Sequence, residues 1–109
     1  MPMPAPHAKE APPTNESLEH LRDAVYRLAR NPAVTFEQLE PFTRHPDKEL
    51  RAILALNTRD PRILEILSKD KEWAVREEVS MNHCRTPAIT ERLRTDENPS
   101  VRYHIKNSA

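Results

Sequence analysis

The sequence predicts an all-α fold, a helical solenoid of about three 25-residue units behind an N-terminal capping helix. Three observations carry that expectation. Asn31, Asn57, Asn82 and Asn107 lie 26, 25 and 25 residues apart. Arg51, Arg76 and Arg102 follow at intervals of 25 and 26, each directly after an aliphatic residue, as Leu50-Arg51, Val75-Arg76 and Val101-Arg102. Strand signals are lacking, with no period-2 run and no hairpin turn pair. A self-similar period of this length is the mark of a stacked helical array, and three units meet its usual minimum for stability.

The elements follow in chain order. Residues 1–13 hold five of the eleven prolines and no large aliphatic side chain except methionine. Such a stretch buries too little apolar surface to offset its ordering entropy, so a disordered arm is expected there. A capping helix follows over 15–30, with Leu18, Leu21, Val25 and Leu28 on one face. Thr14 or Asn15 is its expected cap, Glu16 and Glu19 favour its positive end, and Pro32 stops it.

The three units then run 31–56, 57–81 and 82–107. In each, a capping residue (Thr35, Asp60, Thr86) precedes a short helix that opens on Phe36, Pro61 or Pro87. That helix carries Phe42, Leu67 or Leu93, and three residues later stands His45, Asp70 or Asp96. A second helix contains the aliphatic–arginine pair and a further aliphatic at Leu54, Val79 or Ile105, and it ends near the asparagine. The core is expected to be Leu39, Phe42, Leu50, Leu54, Ile63, Leu64, Leu67, Val75, Val79, Ile89, Leu93, Val101 and Ile105. Toward the C-terminus the positions of Leu39 and Ile53 drift to Thr90 and His104, as in a terminal unit that faces water. Val101 and Ile105 remain with little left to cover them, so a monomer or a weak homodimer is expected.

Composition narrows the function. With 109 residues the chain suits one domain, over 14–109, and its 17 basic and 17 acidic side chains balance. There is no glycine, which removes Gly-rich phosphate loops, dinucleotide turns and nucleophile elbows. No apolar run is long enough for a membrane span. The single cysteine, Cys84, fits a reducing, cytoplasmic setting. Cys84 with His83 and His104 lacks any C-x-x-C or H-x-x-x-H spacing, so no metal site is expected, and no cofactor. Nor does Cys84 have an oxyanion hole or a third orienting group for nucleophilic catalysis. Glu77-Glu78 is read as a solvated pair on a charge-rich helix. No enzyme is expected.

The pattern Asn-x-x-x-Thr-Pro, Leu-x-x-Asp, Val-Arg, Asn resembles the leucine-rich repeat variant family. Residues 82–107 carry it most fully, through Asn82, Thr86-Pro87, Leu93, Asp96, Val101-Arg102 and Asn107. Residues 57–82 differ by Asp60-Pro61, and residues 31–57 depart further, with Phe36 for proline and His45 for aspartate. The resemblance implies a right-handed superhelix of alternating α- and 3₁₀-helices, related in shape to HEAT and armadillo solenoids. Some members carry an N-terminal iron–sulfur domain, which this chain has no cysteine cluster to hold. A scaffold of this kind does not specify a function.

The repeated polar residues read best as structure. Arg51, Arg76 and Arg102 with Asp70 and Asp96 are expected to tie neighbouring layers, guanidinium bridging carboxylate and helix-end carbonyls. Asn31, Asn57, Asn82 and Asn107 are expected to end helices, left-handed backbone being open to asparagine. Trp73 and Tyr103 fall outside the apolar phase, at positions matched by Lys48 and Pro99 and by Ala52 and Glu77. Trp73 either covers a neighbouring layer or, with Arg76 and Tyr103, forms a partner-binding hot spot. The leading expectation is a non-catalytic module for a protein partner, as adaptor, inhibitor or regulatory subunit. The alternative is nucleic-acid backbone binding through Arg59, Arg62, Arg85, Arg92 and Arg94. Residues 57–109 hold ten basic and nine acidic side chains, a net of +1, which is a small footprint for phosphate.

Overall fold

The computed structural model describes residues 15–106. The arm expected over 1–13, the Thr14 cap and Asn107 lie outside the described residues. The described chain is all-helical: α1 (Asn15–Arg30), α2 (Phe36–Leu39), a 3₁₀ helix η1 (Glu40–Arg44), α3 (Lys48–Asn57), α4 (Pro61–Leu67), α5 (Trp73–Met81), α6 (Pro87–Arg94) and α7 (Pro99–Lys106). None of these helices is long and apolar enough to cross a membrane.

Local chemistry sets the helix starts. Thr35 closes a capping box with Gln38 ahead of α2. Asp60 accepts from the Arg62 amide and Thr86 from the Ile89 amide, each followed by a proline that the first turn tolerates. Asp47 caps α3 by accepting from the Leu50 amide. Glu72 precedes α5 and makes no such side-chain bond. A 3₁₀ segment occurs, among the described residues, only after α2, while α4 and α6 are α-helical. The resemblance implied 3₁₀ helices in alternation. Pro41 sits in the first turn of η1, and its missing amide removes an α-helical donor there alone.

The helices α1, α3, α5 and α7 pack side by side in that order, and α2 with η1, α4 and α6 pack against them. Of the expected core, all but Phe42 are buried, and Phe42 packs half-buried against the rest. Ala29 joins Val25 in closing α1 onto this core. Val101 is fully buried and Ile105 is 4% exposed, so the apolar edge expected at the C-terminus is already covered. Both point inward from α7, and the outer side carries Arg102 and Tyr103 instead.

The asparagines end helices, though not through left-handed backbone, since no described residue has positive φ. Asn82 is extended at φ −85, ψ 126 and buried. Its Nδ2 donates to the carbonyls of Ala55, Leu56 and Thr58 while its Oδ1 accepts from the Cys84 amide. Asn57 donates to the Ile53 carbonyl and accepts from Arg30. The Asn31 side chain accepts locally, from the Ala33 amide. With the amide side chain serving the free carbonyls, the backbone has no need of a left-handed turn.

Candidate binding surface

The arginines that recur along the chain share one geometry. Arg51 donates from Nη1 to the His45 carbonyl at 2.7 Å, and from Nε and Nη2 to both Asp70 oxygens at 2.8 and 3.1 Å. Arg76 donates from Nη1 to the Asp70 carbonyl at 2.7 Å, and from Nε and Nη2 to both Asp96 oxygens at 2.7 and 3.1 Å. Each guanidinium thus binds a carbonyl six residues before it and a carboxylate 19 or 20 residues after it. The second oxygen task is local: Asp70 Oδ1 also accepts from the Glu72 amide and Asp96 Oδ1 from the Asn98 amide. His45 fills the aspartate's place in the first unit, its Nδ1 accepting from the Asp47 amide. Asp47 itself is held bidentately by Arg22 of α1. The Arg22 hydrogen bond holds the Asp47 carboxyl below its usual range against the opposing effect of burial. At Asp96 burial is the largest influence and acts upward, but the bonds from Arg76 and the Asn98 amide prevail and lower it.

Arg102 stands at the third such position. Its Nη1 donates to the Asp96 carbonyl at 2.5 Å, and no carboxylate among the described residues meets its Nε–Nη2 edge. It is exposed on α7. Beside it Tyr103 is 61% exposed, its ring edge-on to His104. Together with Arg94, Pro99 and Lys106 they line a depression of about 360 Å³. Pro99 also belongs to a neighbouring depression of about 310 Å³, where Trp73 lies with Lys71, Arg76 and Glu97. Trp73 is 46% exposed, so it lends part of its ring to packing and presents the rest. Arg76 reaches this depression but is only 9% exposed. Its guanidinium is bound to Asp96 and the Asp70 carbonyl, so it supports this surface from beneath.

The five arginines of the expected basic patch are mostly engaged. Arg62 binds Asp60 bidentately and lies 4.6 Å over the Phe36 ring. Arg85 donates to the Ser80 and Asn82 carbonyls and to Thr90 Oγ1, closing the end of α5. Burial pulls its pKa down. Arg92 binds Glu65 and Ser68, and Arg94 binds Glu91. Arg59 is exposed beside Asn31 and Pro61.

Sequence reasoning missed a second surface. Between α1, α3 and α5 a groove of about 530 Å³ is lined by Tyr26, Ala52, Ile53 and Leu56, with Asp23, Glu49 and Glu78 among its walls. Glu77 and Glu78 do not simply face water. Glu77 lies 3.0 Å from His104 Nε2, and Glu78 Oε1 is buried without a hydrogen-bond partner. Burial first, then the charge of Glu77, raises the Glu78 pKa. The only advance signal was the matching of Ile53, Glu78 and His104 at one unit position.

The residues weighed as a metal site do not assemble: Cys84 is exposed and His104 is turned to Glu77. Among the described residues no group of three metal-ligating side chains comes together. Comparison of the chain with protein-family models, with curated proteins and with solved structures yields no match.

Proposed function

We propose that the chain is a non-catalytic protein-binding module, built as a solenoid of three 25-residue units behind α1 and belonging to the leucine-rich repeat variant kind. The near-identical bonds of Arg51 and Arg76 support the repeat reading, because they tie equivalent turns of successive units. One observation carries the function. Trp73 and Tyr103, 46% and 61% exposed, stand on depressions that share Pro99, and neither belongs to the buried core. Large aromatics on a rigid support bring contact area at low entropic cost, which is why they dominate interface energetics.

Nucleic-acid binding has less support, since Arg62, Arg92 and Arg94 are paired with carboxylates and Arg85 with carbonyls. Neutralised guanidinium groups release few counterions. Two experiments test the choice. Capture of partners from an extract of the source organism is expected to be lost with Trp73→Ala, a change worth about 2 kcal/mol of affinity. Equal recovery by the variant would remove the site. Steep, salt-sensitive binding to random-sequence DNA by the purified chain would favour the alternative.

A further inference from the structure

We propose that Arg102 is a preformed carboxylate fork, and that the partner docking beside Tyr103 presents to it an aspartate or glutamate in the turn ahead of a helix. This rests on the protein-binding reading above and names the partner's chemistry. The argument begins with the two inner arginines. In Arg51 and Arg76 the Nη1 bond to the carbonyl six residues back turns the Nε–Nη2 edge outward, and a bidentate aspartate meets it there. That aspartate comes each time from the turn before the next long helix, Asp70 ahead of α5 and Asp96 ahead of α7.

Arg102 has the same anchor, the Asp96 carbonyl, but no carboxylate among the described residues meets its Nε–Nη2 edge. Anchoring removes part of the side chain's rotamer freedom before any ligand arrives, so less is lost on binding. The paired N–H groups match a carboxylate geometrically, as a lysine would not. Lys106 adds a positive charge to the same depression, and Pro99 and Tyr103 give it apolar walls. Arg94 at its rim is already satisfied by Glu91. The surroundings therefore suit an acidic segment with apolar flanks.

A second copy stacked head to tail does not fit. The first unit has His45 where the aspartate belongs, and its Nδ1 is occupied by the Asp47 amide. The carboxylate two residues on, Asp47, is held by Arg22. The occupant is thus a different chain.

The test uses the full chain labelled uniformly with ¹⁵N. An acetylated, amidated octapeptide of alternating Asp and Leu is titrated in, with the Asn counterpart as control, while arginine Nε–Hε resonances are followed. Arg59, exposed but without the carbonyl anchor, is the internal reference. Arg102 is expected to saturate at least about threefold earlier than Arg59, and only with the acidic peptide. Arg102→Lys should abolish the preferential response as read on the neighbouring Tyr103 amide. Parallel shifts at Arg59 and Arg102, no shift at Arg102, or equal response to the Asn peptide would each overturn the fork. Concentration-dependent self-association that Arg102→Gln abolishes would overturn the choice of a different chain. A captured partner that is lost with Trp73→Ala but kept with Arg102→Gln sinks the fork and leaves the protein-binding reading intact. A selective Arg102 response with no protein partner ever captured does the reverse.

Discussion

Arg76 and Arg102 are the same residue in the same phase of the sequence, and their surroundings give them opposite parts. Arg76 and Asp96 are 11% and 8% exposed as side chains, so truncating one leaves the other charged, buried and unpaired. Arg76→Ala is expected to lower stability by about 3 kcal/mol in urea unfolding. Arg102→Ala should cost less than about 1 kcal/mol, because its environment is wet. Equal losses would mean that Arg102 is structural as well. The asparagines divide in the same way. Asn82→Ala removes the donor to three carbonyls, two of them buried, and should cost about 2 kcal/mol, against a few tenths for Asn31→Ala. Periodicity alone revealed that arginine, aspartate and asparagine recur. Which aspartate serves which arginine was hidden, because the partners lie 19 and 20 residues apart.

At the scale of the helices, the caps were readable because capping is decided within a few residues. Thr35, Asp60 and Thr86 each accept from an amide of the first turn. Thr86→Ala should therefore destabilise by about 1 kcal/mol, and Thr86→Ser by much less, as seen in thermal unfolding. The start of α5 is the weak one, since Glu72 is too long to reach back to its own helix. Asp47 and Asn98, at the matching positions, both cap. Glu72→Asp is expected to stabilise the chain by about 1 kcal/mol, and an unchanged melting temperature would show that α5 is held by packing alone. Helix type was less legible than helix position. Pro41 makes one 3₁₀ segment where a regular alternation was expected.

Across the whole molecule the least exposed ion pairs, Arg22–Asp47, Arg51–Asp70 and Arg76–Asp96, join segments far apart in sequence, so stability must depend on pH. The Asp47 and Asp96 carboxyls are lowered in the folded chain. Their contribution is complete above the unfolded carboxylate range and disappears as pH falls through their folded values. Glu78 has the opposite sign, being raised by burial and by Glu77. Its contribution is present below the unfolded value and is lost as pH rises through the folded one. Urea unfolding followed by circular dichroism from pH 7 down to about 3 should show a falling acid limb. Asp96→Asn is expected to flatten that limb, and Glu78→Gln to remove the opposing loss on the way to neutral pH. An unchanged slope in Asp96→Asn would show that its pairing carries no linkage.

The sequence by itself determined that the chain is helical, where α1, α2, α4 and α6 start and which large aliphatic side chains form most of the core, whereas Lys48, Trp73 and Pro99, read as turn positions, open α3, α5 and α7. Leu39, Leu64, Val75 and Val101 could be named in advance because a helix turns at a fixed 3.6 residues and caps act locally. Tertiary structure alone decided that Glu78 is partly desolvated, that Asn82 bridges three carbonyls, that Arg76 is consumed internally and that Arg102 meets no carboxylate among the described residues. These depend on what a neighbouring helix brings to within about 3 Å, a distance set by how helices pack. A pattern along one chain reports which face a residue occupies, and the partner on that face is supplied by a segment some 20 to 27 residues away.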